Sequence, residues 1–398
     1  MPARAELLLP PPIDLNRDQL RQIEEYDYTQ GPEFSEATDP VDLKVDRLQW
    51  GRSTDALYEG RYKRFPPHMV MGDSIIVFGR IKPTPIGHDQ PTIRRELDLR
   101  EHGLITVHEI TAETLLREQL AQPVIDVLLI DKRVEDNLQW FLIHAKNAFK
   151  DIKGLARQYG QWDREEAEHS NIAGLILRTA GGMTQEELDA DYEMTQRNSW
   201  KPPFKKDIEM VIYAMMQERN TNENYKHLAD AMKATDAVNS AFATRLIASD
   251  EQVHGDSYEK DAEAYARISP QHAIEAAQAA LDVAFRFRMP SLALMRDRMR
   301  DTKLAMDTVG YRIEEVQDML RGVLRDLTFV PNHLIDPVVD AYGKAEPRRI
   351  ARILIAQRHE QRKTARLPSR NGGESVSESN GHQGLTLPPR GEIFTPQA

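Results

Sequence analysis

The chain has 398 residues with 52 basic and 63 acidic side chains, a net charge of −11 and no cysteine. That length is ample for a large core, and the acidic balance argues against general nucleic-acid binding, which needs at least a local surplus of Lys and Arg. Without thiols there is no disulfide scaffold, thiolate metal site or cysteine nucleophile, so any metal must be held by His and carboxylates.

The elements follow in chain order. Residues 1 to about 45 are rich in Pro and acidic residues without sustained periodicity, and read as an extended arm. The apolar start Leu7-Leu8-Leu9 is broken by Pro10-Pro11-Pro12, and no apolar run reaches the ~18 residues of a membrane span. Neither a spanning helix nor a signal peptide is expected, and the protein is expected in the cytoplasm. Two β-branched runs, Ser74 to Gly79 and Gly103 to Val107, predict a small strand pair within an irregular N-terminal region over 1–110. After Thr111, Pro and Gly become sparse while Ala, Leu, Met, Glu and Arg dominate, which predicts an all-α body over 111–365. Breakers at Gly154, Gly160, Gly181-Gly182, Pro202-Pro203, Thr235-Asp236, Pro270, Pro290, Gly310 and Pro331 divide it into helices. The long ones are expected near 124–150, 163–179, 205–233 and 237–265, the shorter ones at 270–287, 291–308, 312–327 and 347–365. Residues 366–398 lack an apolar face and read as a disordered tail.

The long helices carry a twofold echo. Glu166 and His169 form Glu-x-x-His, and Glu251 and His254 form it again. At about 100° per residue, positions three apart lie about 60° apart, so carboxylate and imidazole share a helix face. One such motif is weak evidence in a chain with 63 acidic residues and 12 histidines. Two copies supply only four ligands, and a pair of divalent irons needs about six. Helices joined by a tight turn run antiparallel, so a partner ligand must lie as far before the turn as its motif lies after it. Glu218 lies 33 residues before Glu251 (251 − 218), with the midpoint at Ala234-Thr235. Glu135 lies 31 residues before Glu166 (166 − 135), with the midpoint near Lys150-Asp151. Both hairpins place their carboxylates about 23–25 Å from the turn, at 1.5 Å per residue. The resulting set, two single Glu and two Glu-x-x-His on four helices, is the pattern of ferritin-like di-iron carboxylate bundles.

The same geometry ranks competitors. His144 and His227 stand about 180° from Glu135 and Glu218 and face outward. Glu165 and Glu168 lie off the face of Glu166, and Tyr213, Met215 and Met216 read as core. A metal-bound histidine donates its other ring N–H outward, so Asp250 is expected to hold His169 and Glu165 to hold His254.

With these residues in place, the segment from about Arg117 to Pro290 resembles the soluble acyl-acyl-carrier-protein desaturases, the plant stearoyl type and its actinobacterial relatives. The matching strings are Val134 to Leu138, Glu165 to His169, Gln217 to Thr221, Asp250 to Gly255 and Arg286 to Pro290. The pairs Ala167-Glu168 and Gln252-Val253 depart from the family pattern, and the N-terminal third shows no such likeness. The resemblance implies a ferritin-like four-helix bundle with additional C-terminal helices, and two ferrous ions as cofactor. Glu135 would bind one iron and Glu218 the other, Glu166 and Glu251 would bridge them, and His169 and His254 would each complete one. Thr221 would lie beside the oxygen-binding face and Asp250 would buttress His169.

The implied function is a di-iron oxidoreductase that uses molecular oxygen to introduce a double bond into a fatty acyl chain on acyl carrier protein, in fatty acid biosynthesis. A ferredoxin-like donor would supply electrons, and a homodimer is expected. The alternatives are another di-iron oxygenase, a hydroxylase or N-oxygenase, and a non-catalytic ferritin-like iron-binding protein. Because carrier proteins are acidic, docking calls for local positive charge, and Arg286, Arg288, Arg296, Arg298 and Arg300 form the densest group, with Lys201, Lys205 and Lys206 as the reserve.

Overall fold

A computed structural model describes residues 47, 49–54, 68–79, 93–99, 103–197, 204, 206–289 and 299–345. The arm over 1–45, the start of the helix expected from 291, the helix expected over 347–365 and the tail over 366–398 lie outside the described residues.

The N-terminal segment forms a four-stranded antiparallel sheet where a strand pair was expected. β1 (His68–Met71), β2 (Ser74–Gly79), β3 (Ile93–Leu99) and β4 (Gly103–Thr111) lie in the order β1-β2-β4-β3. Met71 pairs with Ser74 across a two-residue turn, for which Gly72 supplies a φ of 59°. The run over 93–99, with its Arg, Glu and Asp, carries no strand signal, and pairing to β4 makes it a strand. Ile75, Val77 and Ile110 are buried, so one face of the sheet packs on the helical body.

The body is all-α. α1 (Gln122–Phe149) and α2 (Lys153–Arg178) form one hairpin; α3 (Gln185–Arg197) crosses over; α4 (Asp207–Ala234) and α5 (Val238–Ala266) form the second. α1 packs on α4 and α2 on α5, which closes a ferritin-like four-helix bundle. α6 (Pro270–Arg286) covers α4 and α5, α7 (Met299–Thr308) lies on α1, and α8 (Ile313–Asp326) packs on α4 and α6. A further helix runs over 332–345.

Local chemistry explains most of these boundaries. α1 and α6 open with Pro in the first turn, where the missing N–H is not needed, and Ser269 accepts a hydrogen bond from His272 N to cap α6. Two joints differ from expectation. Gly154 and Gly160 lie inside α2, because a helical glycine costs only about 1 kcal/mol and the buried face of Leu155, Tyr159 and Trp162 outweighs it. The stretch after Gly182 holds α3, opened by a capping box: Glu187 N donates to Thr184 Oγ1 at 3.2 Å, and Thr184 N to Glu187 Oε2 at 2.8 Å. That signal was present in the sequence.

Apolar packing falls into two clusters stacked along the bundle. One surrounds Phe141, Tyr159, Trp162, Tyr213 and Tyr258; the other surrounds Leu128, Ile172, Ile176, Leu228 and Ile247. Between them every long helix contributes buried polar residues, so the bundle is apolar, polar, then apolar along its length.

The N-terminus of α5 has no cap of its own and borrows one from Glu118. The Glu118 carboxylate accepts from Asn239 N at 2.7 Å, Asn239 Nδ2 at 3.0 Å, Ser240 N at 3.0 Å and Ser240 Oγ at 2.6 Å. Glu118→Ala is expected to cost about 2–4 kcal/mol, because it leaves buried donors unpaired at a helix start. Denaturant unfolding would show this as a lower midpoint, with Glu118→Gln intermediate; an unchanged midpoint for Glu118→Ala would contradict the capping role.

Candidate metal centre

The polar layer is built from one residue or pair on each long helix. α1 presents Glu135, α2 Glu166 and His169, α4 Glu218, and α5 Glu251 and His254, and all six are buried. Their donor atoms fall into two overlapping groups, each spanning no more than 4.8 Å. The first holds Glu135, Glu166, His169 and Glu251; the second holds Glu166, Glu218, Glu251 and His254. Glu166 and Glu251 belong to both, as residues lying between two ions would.

The imidazoles face this set through Nδ1. His169 Nδ1 is 3.0 Å from Glu166 Oε2 and 3.2 Å from Glu251 Oε1. His254 Nδ1 is 3.0 Å from both Glu218 Oε2 and Glu166 Oε1. The Nε2 atoms point the other way, to carboxylates exchanged between helices: His169 Nε2 is 3.4 Å from Asp250 Oδ2 on α5, and His254 Nε2 is 2.8 Å from Glu165 Oε2 on α2. An outer carboxylate that accepts one ring N–H leaves the other nitrogen's lone pair free for a metal.

Electrostatics follow from putting these groups together without water. Burial, then the charges of Glu166 and Glu251, push the Glu135 carboxyl well above its usual range, and burial with the same two neighbours does so for Glu218. Burial alone would raise Glu166 too, but His169 and His254 hold it below its usual range, and both histidines do the same for Glu251. Burial works against charge on the two imidazoles, yet the surrounding carboxylates hold both well above the usual histidine value. Four carboxylates and two imidazoles in one dry layer are a donor set made for hard or intermediate divalent cations, and buried unpaired carboxylates would otherwise be costly. The donor set thus fits a pair of metal ions.

Several neighbours were not singled out from the sequence. Tyr225 OH donates to Glu135 Oε1 at 2.7 Å, and Asn224 Nδ2 to Asp131 Oδ1 at 2.6 Å, which ties α4 to α1. Tyr225 lies seven residues after Glu218 and Asp131 four before Glu135, so helix period alone would have put them on the site's face. Ser170 Oγ donates to Asp136 Oδ1 at 2.6 Å, with Lys132 paired to the same carboxylate. His68, on β1, had no signal in the sequence, because only the sheet brings it here.

The remaining candidates fall as follows. Thr221 is buried on α4 and lies in neither donor group; its hydroxyl donates to the backbone oxygens of Gln217 and Glu218. His144 is exposed, and His227 is half-buried beside Tyr311. Tyr213, Met215 and Met216 are core. Glu168 accepts from Val70 N at 2.8 Å and so holds β1 on α2. The expected basic patch is corrected in part: Arg286 is engaged by Asp282 and lies over the Phe204 ring, and Arg288 is buried, which lowers its pKa to about 9. Charged side chains spent on packing are not a rim for a partner. Lys206 pairs with Glu275 at 3.1 Å; Arg296, Arg298, Lys201 and Lys205 lie outside the described residues, and the side chain of Arg300 is not among those described.

No helix among the described residues is long and apolar enough to cross a membrane. A search of curated proteins finds none that matches the chain. The family model described as fatty acid desaturase matches residues 107–325, more than half of the 398-residue chain and all of the four-helix bundle. On that match, with the paired carboxylate and histidine groups inside it, the chain belongs to the fatty acid desaturase family, whose members are oxidoreductases.

Proposed function

We propose that the chain is an acyl-acyl-carrier-protein desaturase that holds two ferrous ions in the polar layer and introduces a double bond into a carrier-bound acyl chain. The observation that carries this reading is the pair of overlapping donor groups sharing Glu166 and Glu251. Bound there, two ferrous ions would supply the reduction of dioxygen that removal of hydrogen from an unactivated methylene requires.

The chain's own residues provide the rest. Glu135 and Glu218 would each hold one ion, and the Tyr225 hydroxyl, which donates to Glu135, orients the first. Metal binding would displace protons from the raised carboxyls and histidines, so loading would release acid and tighten as pH rises. The aromatic cluster on one side and the aliphatic cluster on the other exclude water from the layer. Overall, two hydrogens leave adjacent carbons, two further electrons and two protons enter, and dioxygen becomes two waters. The carrier, a ferredoxin-like electron donor, a homodimer and a cytoplasmic location rest on the resemblance to the acyl-carrier desaturases.

Iron quantification on folded, reconstituted protein should give two ions per chain, and Glu166→Ala or Glu251→Ala should abolish the pair; one ion or none in the wild type would sink the reading. With a reducing system, oxygen and several acyl carriers, mass spectrometry should find acyl chains short of two hydrogens. Addition of an oxygen atom would identify a hydroxylase instead. Tyr225→Phe removes only the hydroxyl on Glu135 and is expected to weaken iron binding roughly 10-fold, measured by competition with a ferrous chelator; unchanged affinity would show that Tyr225 only packs.

A further inference from the structure

The family match begins at Val107, within β4, so β1, β2 and β3 lie outside it. Yet β1 delivers a side chain to the metal centre. The bond from Val70 N to Glu168 Oε2 pins the strand to α2 one residue from His169. Two residues earlier, His68 is buried, its ring stacked on that of His169 with centroids 6.1 Å apart and 24° between planes. Its Nε2 lies 3.4 Å from Asp250 Oδ2, the same oxygen that lies 3.4 Å from His169 Nε2. His68 Nδ1 is buried with no hydrogen-bond partner among the described residues, and the contact of the other ring nitrogen is the one to Asp250. Cross-strand pairing holds this residue in register, with His68 opposite Val77 and Val77 opposite His108.

The two halves of the centre therefore differ. His254 has a carboxylate oxygen at 2.8 Å, whereas His169 shares a more distant one with a second imidazole. A carboxylate placed by one long contact is free to rotate, and a second donor removes that freedom; the orientation of a metal-bound histidine depends on such an outer acceptor. We propose that His68 is a positioning residue of the metal centre, donating Nε2–H to Asp250 and so holding the carboxylate that orients His169. The metal position bounded by Glu135 and His169 then depends on a strand outside the family-matched segment. This rests on the two-ion reading above.

The test is chelator-driven iron release from the full-length, iron-loaded protein. His68→Phe keeps an aromatic ring against His169 but removes the donor; His68→Gln keeps an amide donor. The Phe variant should lose one of its two ions about 10-fold faster than wild type while the other leaves at the wild-type rate, and the Gln variant should release both near wild-type rates. Should the Phe variant fail to fold, His68→Asn, whose amide is too short to reach, replaces it with the same expectation. Donor-loss release identical to wild type would overturn the proposal, as would equal acceleration of both ions or a Gln variant as fast as Phe. Folded wild type that binds fewer than two ions would instead defeat the two-ion reading itself.

Discussion

Four carboxylates buried in one layer are the constraint on which the rest of this structure depends. In a low-dielectric interior, like charges at this spacing cannot all persist, and each uncompensated one costs several kcal/mol. The bundle answers by interleaving His169 and His254 with the carboxylates, so Glu166 and Glu251 stay charged while Glu135 and Glu218 are driven toward the neutral acid. A pair of divalent ions would satisfy the same layer by replacing protons with metal charge. Apolar packing above and below keeps the balance dry and therefore consequential.

The second consequence is a reciprocal exchange of outer carboxylates. Asp250 on α5 serves His169 on α2, and Glu165 on α2 serves His254 on α5. Each helix of the pair thus holds an imidazole of the other, and these two contacts help to fix the register between α2 and α5. Other carboxylates do quieter work at the periphery: Glu118 caps α5 from a distant segment, Glu168 holds β1 and Asp191 pins Arg133 of α1 to α3. Among the described residues nine acidic side chains are buried against three Lys and Arg, so part of the net negative charge does not lie on the surface. Arg288, buried in the opposite sense, makes the same point.

What the sequence by itself determined was whatever depends on helix period and helix length. The heights of Glu135, Glu166, Glu218 and Glu251 follow from antiparallel hairpins of nearly equal arms, and the outward placement of His144 from angle alone; Tyr225 and the capping box at Thr184 were equally readable by those rules. The sheet was only partly legible, because the charged run over 93–99 becomes a strand by pairing with β4. Gly160 showed the limit of local reasoning, since its modest cost inside α2 is outweighed by burial that no window around it displays. Only the tertiary structure decided that His68 meets Asp250, that Glu118 reaches the start of α5 and that Arg288 is buried. Those contacts join residues tens to hundreds of positions apart, where the meeting is set by how separate elements pack, and no periodicity within either element encodes it.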